Sequence, residues 1–161
     1  MRALLLLSLV ILMSLNTPAW SETRDDLVIR DRLYYKKFSD VPFTGKLTGQ
    51  FQGSFKNGKR EGSWLRYWEN GQLWRKGDYK NRLKEGSWVE YYDNGQLWIK
   101  GDYKNGKREG SWIGYWSNGK LFYQGDFKNG KREGSWVYYH SDGIVDTIQT
   151  GRYKDGKKIS D

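Results

Sequence analysis

The chain contains no cysteine. That excludes a disulfide staple, a Cys-based zinc site and a lipid-modified N-terminal cysteine. It has two prolines and a single histidine in 161 residues. His140 alone leaves little from which to build a general base or a metal ligand set. Serines recur at 63, 87, 111 and 135, but a Ser/His/Asp site needs one distinct arrangement with an oriented base, and these are equivalents in a repeat. Enzyme chemistry is therefore not expected, and no cofactor or metal is implied. Long apolar runs are confined to Ala3–Leu15, broken only by Ser8 and Ser14. That is shorter than the roughly 20 residues that span a bilayer. What the chain has in excess is aromatics, at 17% with nine Trp and twelve Tyr, together with 20 Gly and a formal charge of +9. This is a β-rich composition with many turns.

Residues 1–21 read as a secretory signal peptide. Arg2 supplies the positive n-region, Ala3–Leu15 the apolar run, and Ala19-Trp20-Ser21 the small residues at −3 and −1. Cleavage is expected between Ser21 and Glu22, which makes the mature chain exported, either periplasmic or secreted.

The rest is organised by a 24-residue period. The tetrad Glu-Gly-Ser-Trp ends at Trp64, Trp88, Trp112 and Trp136, and Gly53, Gly77, Gly101 and Gly125 keep the same step. So do Asn70-Gly71, Asn94-Gly95, Asn118-Gly119 and Asp142-Gly143. A fixed period of this size marks a repeat architecture, whose stability is roughly a sum of unit and interface terms. The units are 61–84, 85–108, 109–132 and 133–158, preceded by a capping start over 41–60. Residues 22–40 read as a charged N-terminal leader segment, and 159–161 as a polar tail.

Each unit reads as two strands and two turns. Asn-Gly between aromatic-rich runs is the strongest short hairpin signal, because a type I′ turn needs positive φ twice. A two-residue turn at Asn118-Gly119 sets Trp116 against Leu121, Tyr115 against Phe122, Gly114 against Tyr123, Trp112 against Gly125 and Gly110 against Phe127. A ring over a cross-strand glycine covers bare backbone. That predicts an all-β fold: an elongated, open-ended, single-layer antiparallel sheet of stacked hairpins. Two places resist the pattern. Arg66 falls opposite Arg75, a destabilising like-charge pair. Asn81-Arg82 replaces Asn-Gly, and Arg in the left-handed region costs on the order of 1 kcal/mol, which predicts a different turn type there.

Three sets of residues could meet a partner. Trp64, Trp88, Trp112 and Trp136 form an aromatic column best explained by self-packing over the glycines. Trp68, Tyr92, Trp116 and His140 form a second, less constrained column, the better candidate for partner binding. Basic residues gather at one set of turns: Lys80, Lys84, Lys104, Lys107, Arg108, Lys128, Lys131 and Arg132. Their edge suits an anionic envelope polymer or lipid headgroups, although nearby acids also fit plain solvated turns. Nucleic acid is not an expected partner of an exported chain. The terminal strands leave open edges, so a monomer or an end-to-end oligomer is expected.

Gly86-Ser-Trp88-Val-Glu-Tyr91-Tyr-Asp-Asn94-Gly95-Gln-Leu97, followed by Gly101-Asp-Tyr103-Lys-Asn-Gly106-Lys-Arg-Glu-Gly110, resembles the MORN-type repeat in its bacterial variant form. Pro42-Phe43-Thr44-Gly45-Lys46 is similar to the opening of the YwqK family of antitoxins. The resemblance covers about residues 41 to 158. It implies a twisted sheet of stacked hairpins used as an interaction scaffold, with no catalytic residue to carry over. The antitoxin likeness implies neutralisation of a toxin-like protein partner. Choline- and glucan-binding repeats are also short, aromatic and Gly-rich, which keeps an envelope ligand as the alternative to a protein.

Overall fold

Between Phe51 and Tyr138 the chain alternates long strands with two kinds of turn, and the two turn chemistries set the architecture. The computed structural model describes residues 22–161; the signal peptide expected over 1–21 lies outside them. A single 3-10 turn, Arg24–Asp26, leads into a hairpin of β1 (Leu27–Arg30) and β2 (Leu33–Lys36). Then follow β3 (Gly45–Leu47), β4 (Phe51–Lys56), β5 (Lys59–Tyr67), β6 (Leu73–Lys80), β7 (Leu83–Tyr91) and β8 (Leu97–Lys104). They continue as β9 (Lys107–Tyr115), β10 (Leu121–Lys128), β11 (Lys131–Tyr138), β12 (Gly151–Lys154) and β13 (Lys157–Ser160). β3 to β13 form one eleven-stranded sheet in strict sequence order, every pairing antiparallel. The all-β sheet of stacked hairpins is the observed fold.

The type I′ turns are not where the sequence reading put them. At the Asn-Gly sites that open each hairpin, only the glycine has positive φ: 84° at Gly71, 81° at Gly95 and 82° at Gly119. Gly119 N–H donates to the Trp116 carbonyl at 2.9 Å, and Trp116 N–H to the Lys120 carbonyl at 2.8 Å. This is a three-residue loop closed by a glycine bulge. The asparagine serves another purpose. Its amide reaches the next loop, Asn70 to the Asp93 carbonyl (2.7 Å), Asn94 to Ser117 (3.0 Å) and Asn118 to Ser141 (2.9 Å). The two-residue turns lie at the other edge, where Asn105 (50°) and Gly106 (78°) are both left-handed, as are Asn129 and Gly130.

Asn81-Arg82 is a correction too. It takes the same turn as its counterparts, with φ of 49° and 68°. Asn81 N–H donates to Glu61 Oε2 at 2.8 Å and Arg82 N–H to the Arg60 carbonyl at 2.9 Å. Asn105 and Gly106 make the equivalent bonds to Glu85 and Lys84. These latches, from the turn to the first glutamate of its own unit and to the residue just before it, outweigh the cost of a left-handed arginine. Arg82→Gly should therefore raise the unfolding free energy, by about 0.5–1 kcal/mol, read as a higher urea midpoint with an unchanged slope.

The longer loop shifts the register by one residue, and a bulge shifts it back. Tyr115 pairs with Leu121, not Phe122, while Gly114 still pairs with Tyr123 and Trp112 with Gly125. Phe122 is the extra residue; Trp74 and Trp98 are its counterparts. Between units a larger irregularity appears. Gly110 and Ser111 pair with β10 but are skipped by β8, whose Asp102 pairs with Glu109 and Gly101 with Trp112. Gly110 takes φ 64° there, which a residue with a Cβ adopts only at a cost.

Both ends of the sheet are capped, one by the segment read as a charged leader and the other by the last repeat unit. The leader folds as the β1–β2 hairpin. Tyr34 N–H bonds the Gly58 carbonyl (2.9 Å), and Leu27, Phe43, Leu47 and Phe55 are buried together. At the other end Asp146 accepts from the N–H groups of Ile148 and Gln149 and from the Gln149 amide, which hold its pKa below the usual carboxylate value. The 159–161 tail is ordered through Ser160, inside β13.

Candidate functional site

Residues two apart on a strand share a face, and cross-strand pairing extends that face through the sheet. Trp64, Trp88, Trp112 and Trp136 consequently line one face, and the last three are its most deeply buried side chains. Each ring leans the opposite way from the hairpin expectation. A Cβ on Gly101 would lie 2.6 Å from Trp112 Cγ and closer still to the ring fusion, and Gly77 stands in the same relation to Trp88. Trp112 therefore covers the glycine of the preceding unit, not Gly125 of its own hairpin. Its Nε1–H donates back to the Asp102 carbonyl at 3.1 Å; Trp88 and Trp136 do the same to Asp78 and Asp126. The column is what joins unit to unit. Tyr79, Tyr103 and Phe127 fill the gaps edge-on, with centroid separations of 4.9–5.9 Å.

A cation from each unit lies over this ladder. Lys84 Nζ is 4.1 Å from the Trp88 centroid, the Arg108 guanidinium 4.4 Å from Trp112, and that of Arg132 4.0 Å from Tyr153. The predicted basic edge thus splits. Lys84, Arg108 and Arg132 turn inward onto rings, and Lys80, Lys104, Lys107, Lys128 and Lys131 remain exposed at the turns. The signal was available in the sequence: a basic residue stands four positions before every column tryptophan, a spacing that keeps both on one face.

The second column lies on the same face, nearer the three-residue loops. The bulge turns Trp74, Trp98 and Phe122 onto it, so Trp74 stacks on Trp68 at 4.3 Å, and Trp98 and Phe122 lie tilted against Tyr92 and Trp116 at 5.7 and 4.2 Å. The two-residue turn expected from the sequence instead sets Phe122 against Tyr115, on the opposite face. Trp68 Nε1–H and Trp116 Nε1–H donate to the carbonyls of Tyr91 and Tyr139, and the Tyr92 hydroxyl to that of Tyr115. Burial also pushes the Tyr92 hydroxyl pKa up. These three residues hold units together and remain partly exposed, while Trp98 is 38% exposed. His140 is exposed in the loop after β11, where its carbonyl accepts from Gly143 N–H and its N–H donates to Ile144. One functional group of residues was missed from sequence, the repeated glutamates 61, 85, 109 and 133, whose carboxylates accept from the turn N–H of Asn81, Asn105, Asn129 and Asp155.

A family model described as MORN repeat variant matches three consecutive segments, residues 60–81, 84–105 and 108–129. Such repeats are generally associated with binding of proteins or membrane lipids. No curated protein matches the chain. A crystal structure of a GtfA/B complex bound to UDP and GlcNAc is similar to 81% of this chain, at 17% identity and a TM-score of 0.19. The chain spans 24% of that protein's length, and a likeness this loose bears on neither fold nor function.

Proposed function

We propose that a chain built round three MORN-variant repeats is an exported, non-enzymatic scaffold that binds a partner protein. The observation that supports this most is the strip of paired rings, Trp68 stacked on Trp74 and the tilted pairs Tyr92–Trp98 and Trp116–Phe122. It repeats in the first three units and stays partly exposed where the first column is buried. Rigid aromatics of this kind dominate binding energy at protein interfaces. The export reading adds that the partner is met outside the cytoplasm, and neutralisation of a toxin-like protein is the narrower form of the proposal. The alternative ligand is an anionic envelope polymer or lipid held by the exposed lysines at the I′ turns, a reading favoured by a depression where Lys107, Lys128, Lys131 and Lys154 outnumber Glu133 and Asp155.

The two separate in one experiment. Tagged protein comprising residues 22–161 is used to capture ligands from its own envelope fraction, beside a Trp98→Ala variant checked for an unchanged melting curve. Trp98 is the substitution of choice because Trp68 and Trp116 also bond neighbouring units. The scaffold reading expects one protein retained by the parent, insensitive to salt, and reduced at least about tenfold in the variant, the loss of a 1.4 kcal/mol contact. Retention untouched by Trp98→Ala but abolished by high salt would move the function to the lysine edge.

A further inference from the structure

The first unit departs from the repeat at two positions of the tryptophan face. Arg66 and Arg75 face each other across β5 and β6, where the next units hold Glu90 with Ile99 and Gly114 with Tyr123. The sheet therefore needs neither arginine, and like charges directly opposite cost stability. Arg24 and Arg60 line the same depression, whose floor includes Phe51 and Trp64. Among the described residues, none of these four guanidiniums makes an ion pair. The nearest acid along the register is Glu90, opposite Arg75, and it bridges Lys84 at 3.6 Å. Burial first, then the charges of Arg75 and Arg60, push the Arg66 pKa below its ordinary value.

The hydrogen bonds show the same vacancy of partners. Among the described residues, the buried side-chain donors with none are Arg60 Nε, Trp64 Nε1 and Trp74 Nε1. Trp64 is 7% exposed. Its counterparts Trp88, Trp112 and Trp136 all donate to a backbone carbonyl. Trp74 lies under Arg66, whose guanidinium carbon is 3.8 Å from the ring centroid. Stacking on Trp74 and Phe51 fixes the plane of that guanidinium and leaves its N–H edge free for an acceptor. Of the buried donors, Arg60 and Trp64 line this depression, while Trp74 borders the neighbouring one; the Arg60 terminal nitrogens donate to the Tyr79 and Tyr34 hydroxyls. A buried donor without an acceptor costs stability, so the two gathered here call for one. The free space of about 40 Å³ suits a single small group and not a large ligand.

We infer that this depression is a phosphate-binding site, with Arg66 and Arg75 as the principal ligands and Arg60 and Trp64 as supporting donors. Planar guanidinium forks match phosphate oxygens in pairs. Four cations near one acid suit a group carrying nearly two negative charges better than a single carboxylate. The site stands independently of the scaffold proposal.

The test is thermal unfolding of residues 22–161 in inorganic phosphate, against sodium chloride and sodium acetate at equal ionic strength. Phosphate at ten times its dissociation constant should raise the Tm by about 3 °C over chloride, with acetate giving less. Arg66→Gln/Arg75→Gln should lose that rise while melting in chloride no lower than the parent, because the like-charge pair is gone. A rise of equal size in parent and variant, or no rise in either, overturns the site. Flotation with phosphatidic-acid vesicles then identifies the source. Binding that inorganic phosphate competes away and the double variant lacks points to a lipid headgroup; a phosphate-specific Tm rise without flotation points to a soluble phosphate.

Discussion

Trp112→Ala should lower the unfolding free energy by roughly 3–5 kcal/mol, the cost of emptying a fully buried tryptophan site. Trp112 is 1% exposed, caps Gly101, donates to the Asp102 carbonyl and meets Tyr103 and Phe127 edge-on. No neighbouring side chain can close the gap, because the ring rests on a glycine. A double-mutant cycle gives the sharper reading. Gly101→Ala alone forces a methyl into the indole, and the indole is held between two rings, so a loss of about 1–3 kcal/mol is expected. Once Trp112 is already alanine that methyl has room, so the pair should couple by more than 1 kcal/mol. Gly125→Ala meets Trp136 instead, and with Trp112→Ala it should be additive within about 0.5 kcal/mol. Chemical denaturation of the six proteins decides it. Coupling at Gly125 in place of Gly101 would put the ring back over its own hairpin.

Deleting residues 22–40 should cost on the order of 5 kcal/mol and leave a chain that self-associates. Phe43, Leu47 and Phe55 are 5%, 3% and 3% exposed under the first hairpin, and each fully buried side chain of this size is worth about 1.5–3 kcal/mol. The deletion also removes Tyr34, whose hydroxyl accepts from Arg60 at 2.6 Å and whose ring lies 4.6 Å from that of Phe55. It uncovers the outer edge of β3, where Glu22 now bridges Leu47. An exposed strand edge beside apolar side chains pairs readily with another copy. Residues 41–161 and 22–161 would be compared by urea midpoint and by size-exclusion chromatography. Equal midpoints and a monomeric short form would show the leader to be a mere solvated arm.

Most of one hairpin was legible in the chain. The 24-residue period, the two strands per unit and the pairings from Gly114·Tyr123 to Gly110·Phe127 follow from local pattern, and they are what is observed. The loop end was misread because Asn-Gly has two uses. At Asn105-Gly106 both residues are left-handed, whereas at Asn118-Gly119 the asparagine bonds the next loop instead. One residue of loop length then moved Phe122 to the tryptophan face. The candidate site inherited that slip: the second column was read correctly as a set, but its stacking partners were assigned to the wrong side.

What the sequence determined by itself was therefore the pairing within a hairpin away from its loop end, because alternation and turn residues act over a few positions. What only the tertiary structure decided was everything between units. The direction in which each tryptophan leans, the bond from Trp116 to the Tyr139 carbonyl and the reach of Asn118 to Ser141 all cross from one unit to its neighbour. The register there is set by skipping Gly110 and Ser111. The Asn105-Gly106 turn fixes that pairing only as far as Asp102·Glu109; beyond it the register is chosen by the fit of indole over glycine, a contact that exists only once two units are stacked.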